Sequence, residues 1–140
     1  MTPDGSLTPI LGFATVAGTQ LPGGVLMSAT HDDAVLMVEL AKWGSMIGLA
    51  EASRELFADD FDPNAAEVTD PSVSNMLNFG ETIGTLVKNG LINRELVYDW
   101  LWVEGTWARV APAAKRAREK AGVPQLYENY EALAAGQSLS

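Results

Sequence analysis

From Leu36 to Leu133 apolar residues recur every three or four positions, and helix-punctuating residues cut that recurrence into segments. This period lets a helix bury one face, and it is incompatible with the strict alternation of a half-buried strand. Thr30 opens the first segment as an N-cap, with Asp33 three residues on in a capping-box arrangement. Asp32 and Asp33 also suit the positive end of the helix dipole. Asp70 and Pro71 open the second segment, and Asn89-Gly90 closes it with a residue that accepts the left-handed conformation. Asn93 caps the third, with Glu95 in its first turn, and Pro124 starts a last short helix carrying Leu126, Tyr127, Tyr130 and Leu133. The fold class read from this pattern is all-α. It is a compact bundle of four to five helices, one domain over residues 30–135, with residues 136–140 fraying after Gly136.

The first segment is expected to run as one helix from 31 to 57 and carries two apolar stripes, Leu36, Leu40, Trp43 and Ile47 on one side, Val38, Ala41, Leu49, Ala52 and Leu56 on another. A surface helix needs only one. The second stripe therefore calls for a central position or a covering subunit. The third segment is read as one helix over 94–120 that bends at Pro112, where a backbone donor is lost. Gly44 and Gly48 in the first helix, and Gly80 and Gly84 in the second, are small residues four apart inside apolar helices. Each costs roughly 0.5–1 kcal/mol against alanine, which close helix–helix approach would offset.

Residues 1–29 are expected to form an irregular or weakly extended arm. No charge occurs between Gly5 and Thr30, but Pro9, Gly12, Gly18, Pro22, Gly23 and Gly24 interrupt the stretch, which excludes a spanning helix from it. There is also no basic segment ahead of it of the kind a signal peptide carries. The net charge of −9 opposes nucleic-acid backbones and anionic membranes as partners. Cysteine is absent and His31 is the single histidine, so thiolate chemistry and multi-imidazole metal sites are excluded and a reducing, cytoplasmic setting is permitted.

Several side chains stand out as candidates for an interface or a pocket. Trp100, Trp102 and Trp107 point in different directions on a helix wheel and cannot all enter one core face, so at least one suits an interface anchor. Five of the nine basic residues, Arg109, Lys115, Arg116, Arg118 and Lys120, fall within twelve positions, while residues 1–70 hold eleven acids and two bases. The basic run reads as a solvated helix face or as a patch for an anion or partner. Glu81 sits within a turn of Gly80 and Gly84; if buried it needs a partner, and Arg109 or Arg118 is the expected one. His31, Asp32 and Asp33 diverge at a helix start and read as caps rather than ligands. No catalytic set, phosphate loop, dinucleotide fingerprint or paired-histidine motif is present, and no cofactor or metal is expected.

Three blocks carry a resemblance: Met76-Leu77-Asn78-Phe79-Gly80-Glu81-Thr82-Ile83-Gly84 with its continuation to Ile92, Glu95-Leu96-Val97-Tyr98-Asp99, and Leu126-Tyr127-Glu128-Asn129-Tyr130-Glu131. In this order, over about residues 31–135, the chain resembles a bacterial family known as domain of unknown function 4760. The resemblance implies an all-helical domain without an assigned activity. Some members carry a membrane helix ahead of the domain, where this chain has its glycine- and proline-rich arm.

The functional expectation is a protein–protein interaction or regulatory module, acting as a homodimer through the helix over 31–57 or the tryptophan-rich helix over 94–120. The alternative is a small-molecule binding protein with a pocket between helices, walled by Trp43, Trp100 or Trp107 and made polar by Glu81 and an arginine among Arg109, Arg116 and Arg118. An enzyme would have to combine carboxylates with an external metal, and none is expected.

Overall fold

A computed structural model describes residues 28–139, so nearly all of the N-terminal arm lies outside the described residues. The described chain forms α1 (His31–Met46), α2 (Leu49–Leu56), α3 (Pro71–Lys88), α4 (Arg94–Trp100), α5 (Val103–Ala121) and α6 (Glu128–Ser138), with no strand among them. The expected capping box is present: the Thr30 N–H donates to Asp33 Oδ2 at 2.8 Å, and the Asp33 N–H donates to Thr30 Oγ1 at 3.1 Å. Asp33 Oδ1 also accepts the N–H of Asn93 at 3.0 Å, tying the start of α1 to the start of α4. These bonds, the Thr30 N–H foremost, hold the Asp33 carboxyl below the usual carboxylate range. Its contribution to the fold is present above its unfolded pKa and fades as pH falls through the folded one.

Helix α3 is the axis of the domain. Val73, Met76, Leu77, Phe79, Gly80, Ile83 and Gly84 are all buried along it, and α2, α5 and α6 are its main neighbours. Leu56, Val97, Val110, Tyr130 and Leu133 complete the core around this stripe. Asp70 stands at the N-cap and Pro71 at the first helical position as expected. The Asp70 carboxylate, however, accepts the N–H of Glu67 at 2.9 Å rather than capping α3.

Among the described residues six helices replace the expected four to five, because two long helices are each broken once. The helix expected over 31–57 stops at Ile47, and Gly48 turns the chain with φ +74° before α2 begins. Glycine takes that left-handed conformation without steric cost. The break redirects the second apolar stripe: Ala52 and Leu56 are buried on α2, while Val38 and Ala41 stay exposed on α1. Asn75 on α3 secures it, donating to the Ile47 carbonyl at 2.9 Å.

The second break divides the helix expected over 94–120 at Leu101, whose backbone is extended (φ −125°, ψ 139°). Gln137 on α6 spans it, donating to the Leu101 carbonyl at 3.0 Å and accepting the Glu104 N–H at 2.8 Å. Groups that a continuous helix would have paired internally are thereby satisfied from outside. Helix α5 runs on through Pro112 to a left-handed Gly122. The last helix starts at Glu128 rather than at Pro124, because residues 124–127 form turns that end in Tyr127 with φ +60°. It also continues through Gly136 to Ser138 instead of fraying, held by Gln137 and by Ser138 Oγ, which donates to Glu104 Oε2 at 2.6 Å.

Candidate functional site

Glu81 lies on α3 facing the start of α6, and an arginine is not its partner. Its Oε1 accepts the backbone N–H groups of Asn129 (3.1 Å) and Tyr130 (3.0 Å), and its Oε2 accepts Asn129 Nδ2 at 2.9 Å. Those N–H groups belong to the first turn of α6, which has no internal acceptors for them. Tyr127, in the N-cap position, offers no side-chain cap. The carboxylate of another helix fills the role, and its charge complements the positive helix end. The correction has a geometric cause: α6 lies against α3 where Glu81 stands, whereas both expected arginines are engaged elsewhere.

The two glycines flanking Glu81 make this approach possible. A Cβ on Gly84 would stand within 2.5 Å of the Asn129 carbonyl carbon, and one on Gly80 within 2.6 Å of the Tyr130 ring. Their close approach is thus to α6. Gly44 instead meets Phe79 and Leu49 side chains at 3.2 and 3.3 Å, and Gly48 is a turn residue with open space around it. The buried Tyr130 hydroxyl lies 2.6 Å from Thr106 Oγ1.

Burial raises the Tyr130 phenol well above its usual value, and burial likewise raises that of Tyr98. An unfolded tyrosine ionises near pH 10, so above about pH 10 the unfolded chain sheds protons that the native state keeps, and stability falls. Tyr130 alone sets a slope of up to about 1.4 kcal/mol per pH unit, and Tyr98, more open to solvent screening, adds less. Urea midpoints measured from about pH 9 to about pH 11.5 check this. Tyr130→Phe should flatten the alkaline fall.

The three arginines form a structural series along α5. Arg109 Nε donates to the Leu56 carbonyl at the end of α2 at 2.7 Å. Arg116 donates to the Ala66 carbonyl, and Arg118 Nε donates to the Leu126 carbonyl at 2.7 Å. Arg118 also lies 2.8 Å from Glu131. That contact is close in distance without the alignment of a hydrogen bond, and it acts as an ion pair. These cations pin loops and helix ends to α5, so Arg116 and Arg118 are not freely available to a ligand.

The tryptophans part company. Trp43 packs on Phe79 at 5.2 Å and Trp100 meets the same ring edge-on at 6.2 Å. Trp107 packs on Tyr130 at 5.0 Å, and the Arg118 guanidinium lies over the Trp107 ring at 5.9 Å. The pocket expected between these helices is a slot of about 70 Å³, and none of Trp43, Trp100 and Trp107 lines it. Trp102 is different: 64% exposed, it stacks on Phe57 with centroids 5.8 Å apart and planes 16° apart. Its ring lies over Gly105, so close that no Cβ would fit there. Arg109 extends the array, its guanidinium 5.6 Å from the Phe57 centroid and 5.2 Å from that of Phe61. Phe57 and Phe61 were not legible as part of this array, because one closes the expected first helix, the other lies beyond it, and only the chain's return brings them to α5.

A larger cleft of about 420 Å³ opens between α3, α4 and α6, lined by Gly84, Lys88, Arg94, Tyr98, Glu128 and Asn129 among others. All three sequence blocks singled out above contribute to the contact between α3, α4 and α6: the first supplies Gly84, the second Tyr98, the third Asn129. A family model described as "Domain of unknown function (DUF4760)" matches residues 26–137. The chain belongs to this family. Neither the comparison with curated proteins nor that with solved structures yields a match. The DUF4760 match begins just before the capping box of α1 and ends inside α6, so it takes in every helix but the last residue of α6. Among the described residues no helix is long and apolar enough to cross a membrane, and no three metal-ligating side chains lie together.

Proposed function

We propose that this DUF4760 domain is a protein–protein interaction module that associates with a second copy of itself through the Trp102–Phe57 face. The observation that carries the reading is the state of Trp102, 64% exposed yet held by the Phe57 stack and by the bare backbone of Gly105. A large aromatic already fixed before contact loses little conformational entropy on binding, which is what makes tryptophan a frequent interface anchor. Phe57 closes the end of α2 and Trp102 opens α5, so the two segments expected to supply an interface meet at one patch. Arg109 is held against the Phe57 ring by the Leu56 carbonyl, where it adds cation–π attraction without being free to swing into solvent.

Sedimentation velocity from about 5 to about 100 μM tests the proposal, since that window spans micromolar dissociation constants. The expected result is a concentration-dependent dimer that Trp102→Ala weakens about tenfold or more, the loss typical of a buried anchor. A monomer across the whole range, or a dimer indifferent to Trp102→Ala, overturns it. Tryptophan emission shifting to the blue on dimerisation would place the ring in the contact.

A further inference from the structure

We infer that the cleft between α3, α4 and α6 is a binding site for a small organic monocarboxylate with an apolar or aromatic body. Two cations face it: Lys88, the last residue of α3, and Arg94, the first residue of α4. Neither has an ion pair or a hydrogen bond among the described residues. This sets them apart from Arg109, Arg116 and Arg118, each of which spends its guanidinium on a backbone carbonyl. Lys88 suits its position, because a cation favours the negative end of a helix. Arg94 does not. It stands at the positive end of α4, where the backbone dipole and the Asn93 cap already favour an acid, and Glu95 follows it. The Asp33 carboxylate on the Asn93 N–H and the neighbouring Glu95 offset the field at this helix start, yet neither makes an ion pair with the Arg94 side chain, which stays open to an anion in the cleft.

The rest of the cleft selects among anions. Val87 and Leu133 provide apolar wall, and Tyr98 provides an aromatic one. The Tyr98 ring is fixed, since its hydroxyl donates to the Leu133 carbonyl at 2.8 Å and lies against Gly136, where a side chain would collide with it. Glu128 also lines the cleft, and the whole chain carries a net charge of −9. Both oppose a doubly charged phosphate more than a singly charged carboxylate. At about 420 Å³ the cleft lies within the range of small-ligand sites. Arginine and lysine together give a carboxylate one planar fork and one point charge.

Benzoate is the probe, with benzyl alcohol as its uncharged counterpart and inorganic phosphate as the competing anion, each titrated into ¹⁵N-labelled full-length protein. Saturable shifts are expected for the amides of Gly84, Tyr98 and Leu133 with benzoate, at a dissociation constant of about 1 mM or tighter. The combined variant K88Q/R94Q, which alters two exposed side chains and leaves the fold intact, should weaken that binding about tenfold or more. Equal binding of benzyl alcohol, tighter binding of phosphate, unchanged affinity in K88Q/R94Q, or no saturation by about 20 mM benzoate overturns the inference. Trp102, Phe57 and Arg109 do not line the cleft, so failure here and failure of self-association are separate results.

Discussion

Gly84→Ala is expected to lower the melting temperature by about 10 °C or more, while the same change at Gly44 should leave it nearly unmoved. Both positions read alike in sequence, as small residues on buried helix faces. At Gly84 the added methyl would meet the carbonyl of Asn129, backbone on both sides, with no flexible group to give way. Accommodating it means separating α3 from α6, which also pulls Glu81 from the N–H groups it caps. The cost of overpacking, typically about 1–3 kcal/mol, then adds to that of the lost cap. At Gly44 the nearest atoms are the ring edge of Phe79 and the tip of Leu49, at 3.2 and 3.3 Å. A few tenths of an ångström of movement relieves them, and alanine gains up to about 1 kcal/mol of helix propensity over glycine. Circular dichroism melts of the two variants read the difference directly. Equal effects at the two positions would refute the packing of α6 on α3 described above.

Removal of the Glu81 side chain should rank next. Glu81→Ala leaves the first-turn N–H groups of Asn129 and Tyr130 without an acceptor in a half-buried setting, for a loss of about 2–3 kcal/mol. Glu81→Gln keeps one carbonyl oxygen for those two N–H groups but turns its own amide toward Asn129 Nδ2, donor against donor. An intermediate loss of about 1–2 kcal/mol is expected. Combining Glu81→Gln with Asn129→Asp restores a donor–acceptor pair, so urea unfolding of the two single variants and the double should show a favourable coupling energy. Simple additivity in that cycle would refute the pairing of the Glu81 and Asn129 side chains.

Local signals along the chain proved legible, and pairings across it did not. The Thr30–Asp33 box, the Asn93 cap, Pro71 at the first turn and Asn89-Gly90 at the end of α3 all act within a few residues, and each sits where local stereochemistry requires it. The buried stripe of α3 followed from its period for the same reason. The break at Leu101 has no glycine or proline to announce it, because it is held by Gln137, thirty-six residues away. The Gly48 break carried a signal in its glycine, but one indistinguishable from a close-packing glycine until its φ is known. Glu81 showed the need for a partner without its identity: a helix end offers the same positive field as an arginine, and only the fold decides which arrives. The Trp102 array likewise joins residues 57, 61, 102 and 109 from two separate stretches of chain.

The dependence of so much on α6 bears on biosynthesis. Of the six helices among the described residues it is the last to leave the ribosome, yet it supplies Tyr130 to the core, takes the Glu81 cap, fills the bare backbone at Gly80 and Gly84 and spans the Leu101 break through Gln137. A nascent chain that has emerged only as far as α5 therefore presents an uncovered apolar groove and an unbraced hinge. Stable folding waits for synthesis to pass Gln137, so translational pausing or truncation ahead of α6 would yield a product marked for chaperones or proteases rather than a smaller working domain.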